Sequence, residues 1–327
     1  MKTEGLTLNV APYRGGGIAI DNTVAFFLPL RNNGSGSYNR FFDKGGFLYA
    51  IRELIKHATE YLAKRGVLQA RCEAETLLVA LLNRKRTALY FDYDAPLERQ
   101  QVSRYRGWVK RRGSREPLAY IVGEVEFSDL KLKVTPATFI PRHETEILAD
   151  LVIKSLSDKA LEVWDVCTGT GCLGLAVKNK CPNCRLKLAD ISDEALKIAK
   201  INGARNQLEV ELLQGDLLNP FQGEKADAVL CNPPYVTAEE YEGLEREVRA
   251  FEPKRAVVGG LDFYRRLAES LPLFLHPEAK IFFEIGSGQG NALMEIFSES
   301  HWVRKKCEKD WSGRDRFFSL EYNENFR

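Results

Sequence analysis

The 327-residue sequence contains no long apolar run. Its longest apolar stretches, such as residues 76–82, are far shorter than the roughly 20 residues that cross a bilayer. Its beginning lacks the successive basic, apolar and small-residue regions of a signal peptide. We therefore expect a cytoplasmic protein that does not contact a membrane.

Neither sign of charge predominates, because 47 basic and 45 acidic residues leave a net charge of +2. This balance points to no particular partner. Seven scattered cysteines, an odd number, are more typical of a reducing compartment than of a disulfide framework. Cys181 and Cys184 form a lone CxxC with no further ligands at suitable spacing, so the sequence predicts no metal site.

The first part of the chain is rich in glycine, asparagine and serine and has no sustained periodicity, so we interpret residues 1–46 as a poorly ordered extension. A helical period of apolar residues begins at Phe47. It predicts a small bundle over residues 47–112, with helices from Phe47 to Gly66, from about Arg71 to Arg84 and from about Leu97 to Arg112.

The third predicted helix is strongly basic. Seven basic residues and no acidic one lie between Arg99 and Arg115. They form either a solvated helix face or a docking surface for an acidic protein or RNA. If they form a docking surface, charge reversal at Arg104, Arg111 and Arg112 should weaken partner binding.

The remainder of the chain predicts a hairpin followed by an α/β domain. Apolar residues alternate from Phe127 to Val134 around a turn, which predicts a β-hairpin within a linker, residues 113–140. In residues 141–327, strands alternate with helices, which is typical of a mostly parallel sheet covered on both faces. The last two strands are joined by a short polar link and should form an antiparallel hairpin at the edge. The seven predicted strands are Leu161–Val166, Leu186–Ile191, Val210–Gln214, Ala226–Cys231, Lys280–Ile285, Val303–Glu308 and Arg316–Glu321.

A glycine-containing loop follows the first strand of this sheet. Gly169 and Gly171 allow a tight turn and a close approach of the backbone to a ligand. The spacing is shorter than in the GxGxxG dinucleotide fingerprint, and no lysine is placed as in a P-loop. The loop therefore does not favour a phosphate site.

Four polar side chains, Asp165, Asp190, Asp216 and Asn232, follow the ends of predicted strands. Ligands of such sheets bind beyond the carboxyl ends of the strands. One such acid is as readily a helix cap as a ligand contact, but four in one register favour a site. Asp190 suits the two hydroxyls of a ribose and Asp216 an adenine amino group, which together suggest S-adenosylmethionine.

The segment Asn232-Pro233-Pro234-Tyr235 follows a buried strand. The prolines cannot continue the ladder of the sheet, so their carbonyls remain free to accept hydrogen bonds beside the Asn232 side-chain oxygen. These acceptors suit the two hydrogens of a planar –NH2 group, and Tyr235 offers a ring for stacking. A proline-rich turn without function is the alternative. In the functional interpretation, positioning activates the nitrogen, and no strong base is required.

Several short motifs are distributed along the chain. They are Arg115-Glu116-Pro117, Tyr120-Ile121, Gly123, Ile140-Pro141-Arg142, Glu144-Thr145-Glu146, Asp165, Gly169-Thr170-Gly171, Asn232 to Tyr235, Glu284-Ile285-Gly286 and Gln289-Gly290. With these motifs the chain resembles the protein-(glutamine-N5) methyltransferases of the PrmC/HemK type, which modify peptide chain release factors. The resemblance extends from about Phe47 to the end of the chain and implies a seven-stranded Rossmann-like methyltransferase fold preceded by the helical bundle and the hairpin linker.

The resemblance also implies roles for particular residues. The bundle would help to dock a class-1 release factor, and we expect the protein to act as a monomer that holds no stable nucleic acid. Asn232, Pro233, Pro234 and Tyr235, with Phe139 and Arg142, would hold the glutamine of its Gly-Gly-Gln loop, and Asn232, Pro233 and Tyr235 would be catalytic. The residues expected to contact S-adenosylmethionine are Asp165, Cys167, Thr168, Gly169, Thr170, Gly171, Asp190, Asp216, Leu217 and Asn232.

The chain departs from the family pattern at two positions. His143 stands where the family usually has a second proline, and Leu217 stands where some members have an aromatic residue beside the adenine. An adenine-N6 nucleic-acid methyltransferase is one alternative, although the chain has no evident target-recognition domain and a duplex target would require base flipping. The other alternative is a non-catalytic S-adenosylmethionine-binding module or a dehydrogenase-like nucleotide binder. A non-catalytic module would have no use for the Asn-Pro-Pro-Tyr acceptors, and the short glycine loop disfavours a dinucleotide.

Overall fold

The computed structural model describes residues 42–43, 46–47, 49–156 and 161–326. The extension predicted for residues 1–46 therefore lies outside the described residues, apart from the short strands β1 (Phe42–Asp43) and β2, which begins at Gly46 and ends at Phe47. Among the described helices, none combines the length and the apolar character needed to cross a membrane.

The first part of the fold is a helical bundle, as its apolar periodicity predicts. Leu54, Leu77 and Tyr105 are buried in its core, and the Tyr105 hydroxyl donates to the Ala74 carbonyl at 2.9 Å. Two short helices, α3 and α5, were not predicted. The elements are β3 (Tyr49–Ala50), α1 (Ile51–Ala63), α2 (Ala70–Leu82), α3 (Arg86–Phe91), β4 (Pro96–Leu97), α4 (Arg99–Gly113) and α5 (Leu118–Val122).

The predicted hairpin is present as strands β5 (Glu124–Phe127) and β6 (Leu130–Lys133), which pair antiparallel. Asn202, from a later helix, accepts from the Lys133 N–H at 2.6 Å and donates to the Lys133 carbonyl at 3.1 Å. A buried side-chain amide therefore fixes the hairpin to the α/β part of the chain.

Seven of the described strands form one sheet, and the predicted fold class is confirmed. The strands are β7 (Glu162–Val166), β8 (Arg185–Asp190), β9 (Glu211–Gln214), β10 (Ala226–Cys231), β11 (Leu275–Glu284), β12 (Trp302–Lys309) and β13 (Asp315–Tyr322). Their order in the sheet is β12-β13-β11-β10-β7-β8-β9, and of these seven strands only β13 runs opposite to the others. Adjacent residues Val163 and Trp164 belong to different buried clusters, so a core lies on each face.

Several helices of the α/β part begin shortly after a strand ends. Ser192, the N-cap residue of the helix after β8, accepts from the Ala195 N–H at 3.2 Å and so satisfies one of its free donors. The helices are α6 (His143–Ser155), α7 (Cys172–Lys180), α8 (Asp193–Arg205), α9 (Ala238–Glu242), α10 (Arg246–Phe251), α11 (Asp262–Ser270) and α12 (Gly290–Ile296).

Ion pairs connect the bundle to the α/β part. Arg112, near the end of α4, is buried between Glu73 of α2 and Glu247 of α10. Arg111 forms a two-point pair with Glu116. Because both arginines are occupied within the molecule, reversing their charge would break internal contacts as well as test docking. Arg104 is better suited to such a test of docking. The domain boundaries at residues 113 and 141 stay a prediction.

Candidate active site

A cavity of about 490 Å³ lies at the carboxyl ends of the central strands. The four strand-end residues singled out from the sequence, Asp165, Asp190, Asp216 and Asn232, all contribute to its wall. Other predicted site residues in the wall are Phe139, Cys167, Thr168, Gly169, Thr170, Leu217, Pro233, Pro234 and Tyr235. Among the described residues that line the cavity, Gly171 and Arg142 do not appear.

The loop after β7 is shaped by unusual backbone conformations. Cys167, Gly169 and Gly171 have positive φ angles of 61°, 56° and 81°. Gly169 has no atom within 4 Å of the place where a Cβ would stand, so its backbone is open to a ligand. Gly171 instead serves as the N-cap residue of α7. The loop thus combines a tight turn with an accessible main chain, as its glycines predict.

Asp165 stabilises the loop and the start of α7 through two hydrogen bonds. Its Oδ2 accepts from Thr168 Oγ1 at 2.5 Å and from the Gly174 N–H at 3.0 Å. A Cβ on Gly174 would stand 3.0 Å from that oxygen, so glycine allows α7 to approach the carboxylate. Burial raises the pKa of Asp165 to about 7, against the two hydrogen bonds.

Asp190 lines the cavity, and both of its carboxylate oxygens accept main-chain hydrogen bonds. Its Oδ2 accepts from the Gly169 N–H and its Oδ1 from the Ser192 N–H, each at 2.9 Å. Since a carboxylate oxygen can accept more than one hydrogen bond, each oxygen retains capacity for a ribose hydroxyl. Burial raises the pKa of Asp190. A cavity of this volume is typical of small-molecule sites, so the residues present fit a bound nucleoside.

The loop after β9 supplies a less polar part of the wall. Asp216 Oδ2 pairs with Arg266 of α11 at 2.5 Å, which leaves its other oxygen uncommitted in that ion pair. Leu217 is buried and has a φ of 51°, a strained conformation for a branched side chain. Leu217, at the position where some family members have an aromatic residue, also lines the cavity.

The Asn-Pro-Pro-Tyr segment is supported by a hydrogen-bond network. Asn232 Nδ2 donates to Thr145 Oγ1 at 3.3 Å, and Thr145 Oγ1 donates to Glu284 Oε2 at 2.6 Å. The Tyr235 hydroxyl donates to Glu284 Oε1 at 3.2 Å and accepts from Arg316 Nη1 at 3.3 Å. Burial raises the pKa of Glu284, against the Thr145 hydrogen bond and the Arg316 charge. No acidic residue adjoins the segment in the sequence, but the fold places the Glu284 carboxylate in contact with Thr145 and Tyr235.

A second support is a return segment that packs on the prolines. Val236 and Val258 form a parallel bridge, and the Gly259 N–H donates to the Val236 carbonyl at 3.0 Å. A Cβ on Gly259 would stand 2.4 Å from the Pro234 carbonyl oxygen, so only glycine permits this approach. Gln289 Nε2 also donates to the Tyr235 carbonyl at 2.9 Å. No local sequence pattern marks Gly259, whose role depends on a contact between separate segments.

Phe139 and Arg142 occupy different positions relative to the cavity. Phe139 forms part of the wall, with the Arg142 guanidinium carbon 4.4 Å from its ring centroid. Arg142 Nη2 donates to Glu252 Oε1 at 2.5 Å, and the Ile140 N–H donates to the other oxygen of Glu252 at 3.1 Å. Arg142 therefore holds the Phe139 segment in place.

Comparison with known proteins identifies this sheet and its cavity as those of an S-adenosylmethionine-dependent methyltransferase. The PrmC N-terminal domain family matches residues 53–123, and the methyltransferase small domain family matches residues 131–248. A release factor glutamine methyltransferase from Chlamydia trachomatis serovar D is 41% identical over 84% of this chain and 95% of its own length. One from Geobacter sulfurreducens is 35% identical over 82% of this chain and 95% of its own. The chain belongs to the release factor glutamine methyltransferase family.

Proposed function

We propose that this enzyme methylates the side-chain nitrogen N5 of the glutamine in the Gly-Gly-Gln loop of class-1 peptide chain release factors. The names of the relatives support this substrate. The observation that carries the proposal is the shared cavity. Because β10 pairs with β7, with Cys231 opposite Val166, the Asn-Pro-Pro-Tyr segment and the glycine loop leave the sheet side by side. A methyl donor and a methyl acceptor would therefore meet in one cavity.

S-adenosylmethionine, when bound, supplies an electrophilic methyl group. We propose that Asp190 accepts from the ribose hydroxyls and that Asp216 and Leu217 lie beside the adenine. Residues 167–170 would offer the main chain to the remainder of the cofactor. Asp165 and Gly171 would act indirectly. Asp165 accepts from the Thr168 hydroxyl and the Gly174 N–H, and Gly171 is the N-cap residue of α7.

The Asn-Pro-Pro-Tyr segment would bind the carboxamide. Asn232 Oδ1 and the Pro233 carbonyl would accept its two hydrogens, and Tyr235 and Phe139 would offer flat walls to its plane. An amide nitrogen is a poor nucleophile because its lone pair is delocalised. Acceptors on both N–H bonds raise the electron density on nitrogen and orient it for in-line attack. The gain would come from the fixed geometry of these acceptors.

We further propose that the helical bundle docks the release factor. Arg104 of α4 is the test residue, because its guanidinium lies 5.1 Å from the Trp108 ring centroid and forms no ion pair within the part of the chain that the structure describes. Charge reversal there should weaken release factor binding at low salt without changing cofactor affinity. An unchanged affinity would remove α4 from the docking surface.

Mass spectrometry of a release factor incubated with enzyme and labelled S-adenosylmethionine tests the reaction. We expect one methyl group on the glutamine, and none on a release factor that carries glutamate there. Asn232→Ala should retain cofactor binding and lose at least about a hundredfold in turnover, the scale of one lost positioning group. Methylation of adenine in DNA, with none on the glutamine, would instead support a nucleic-acid methyltransferase.

A further inference from the structure

One buried carboxylate lies beneath both parts of the proposed carboxamide site. Glu284, at the end of β11, is 1% exposed and is not part of the cavity wall. Its Oε2 accepts from Thr145 and its Oε1 accepts from Tyr235. The two donors come from α6 and from the end of β10, 139 and 49 residues away along the chain. A single side chain thus connects the amide of Asn232, through Thr145, to the ring of Tyr235.

The direction of these hydrogen bonds determines which end of the Asn232 amide faces the cavity. A threonine hydroxyl has one hydrogen. The 2.6 Å contact between Thr145 Oγ1 and Glu284 Oε2 has the length of a hydroxyl–carboxylate bond, so that hydrogen lies on the Glu284 side. Thr145 then has only lone pairs to offer Asn232, which must present Nδ2. The oxygen of the same amide is consequently directed away from Thr145.

We propose that Glu284 and Thr145 are positioning residues that fix the orientation of the Asn232 amide and the place of the Tyr235 ring. The inference rests on the proposed function, because the orientation matters only if Oδ1 must accept from the substrate. If the Asn232 amide were reversed, its –NH2 group would face the –NH2 group of the substrate carboxamide, and neither group could accept a hydrogen bond from the other. Glu284 therefore acts through Asn232 and Tyr235 and does not take the substrate proton.

The first test removes the hydroxyl without changing the shape of the side chain. Thr145→Val should lower kcat by about tenfold, the scale of a coupled positioning contact, with cofactor affinity unchanged. Thr145→Ser restores the hydroxyl and should return kcat to within about threefold of the unsubstituted enzyme. If Thr145 only stabilised the fold, Thr145→Val would lower the melting temperature. The melting temperatures of both variants are therefore measured alongside kcat.

The second test reverses the chain of donors. Asn232→Asp places an acceptor opposite the Thr145 lone pairs and should lose activity. In the double variant Asn232→Asp with Glu284→Gln, the glutamine amide can donate to Thr145, whose hydroxyl is then free to donate to the new carboxylate. The double variant should therefore regain about tenfold in kcat over Asn232→Asp alone, although each single change is harmful.

The two tests separate this inference from the proposed function. If the unsubstituted enzyme does not methylate the glutamine, the proposed function fails. If it does, but Thr145→Val keeps its kcat, the positioning role is refuted and the function stands. A double variant no more active than Asn232→Asp would likewise refute the assigned direction of the hydrogen bonds. If the double variant regains activity and Thr145→Ser restores kcat, the results support both the positioning role and the assigned direction of the hydrogen bonds.

Discussion

Replacing Arg112 with methionine should lower the free energy of unfolding by about 3–5 kcal/mol, the cost of removing one member of a buried ion pair. The Arg112 side chain is 8% exposed, and those of Glu73 and Glu247 are 17% and 12% exposed. Arg112 Nη2 lies 3.2 Å from Glu73 Oε1, and Nη1 lies 3.2 Å from Glu247 Oε1. Methionine leaves both carboxylates poorly hydrated, and Arg115, which pairs with Glu247 at 2.6 Å, compensates only one of them.

Equilibrium denaturation in urea, followed by circular dichroism, measures this loss. The matched control is Arg265→Met, because the Arg265 and Asp262 side chains are 55% and 82% exposed and such pairs contribute about 0–1 kcal/mol. Adding Glu73→Gln to Arg112→Met should recover at least about 1 kcal/mol, since it removes one uncompensated charge. Equal losses in Arg112→Met and Arg265→Met would refute the reasoning.

Three further predictions concern the cavity. Gly259→Ala should lower kcat by about tenfold to a hundredfold, because its Cβ would stand 2.4 Å from the Pro234 oxygen; steady-state kinetics that match the unsubstituted enzyme would contradict this. Asp190→Asn should raise the Kd for S-adenosylmethionine about tenfold, measured by calorimetry, and an unchanged Kd would exclude the ribose contact. The pKa of Asp165 is raised to about 7, so its contribution to stability is present in acid and lost between about pH 4 and pH 7, by up to about 4 kcal/mol. Asp165→Asn should abolish that loss in urea titrations at about pH 5 and about pH 8, and a pH-independent difference between the two proteins would contradict the assignment.

Local patterns in the sequence predicted most of the fold. The alternation of strands and helices and the period-two hairpin depend on neighbouring residues, and every predicted strand of the sheet is present. The helix α3 was missed because it has only six residues, Arg86–Phe91, too few for a clear apolar period. The sheet edge was also anticipated, since β12 and β13 are joined by the short link predicted to form a hairpin.

Long-range contacts could not be predicted in the same way. The basic residues around Arg111 and Arg112 predict either a solvated helix face or a docking surface. In the structure, Arg112 instead pairs with Glu73 and Glu247 of other helices, the second of them 135 residues away along the chain. Likewise, Thr145 and Glu284 lie in segments that resemble the family pattern, but the resemblance implies no role for either residue. Their contact spans 139 residues, so neither periodicity nor spacing carries any signal of it.

The place of β13 in the sheet has a consequence for how the edge of the sheet is attached. β13 pairs with β11 on one side and with β12 on the other, and β11 and β12 do not pair with each other. The strand β12 can therefore join the sheet only through β13, although β12 precedes β13 in the chain. Because Arg316 of β13 donates to the Tyr235 hydroxyl, the strand that attaches the edge also supplies a contact to the Asn-Pro-Pro-Tyr segment.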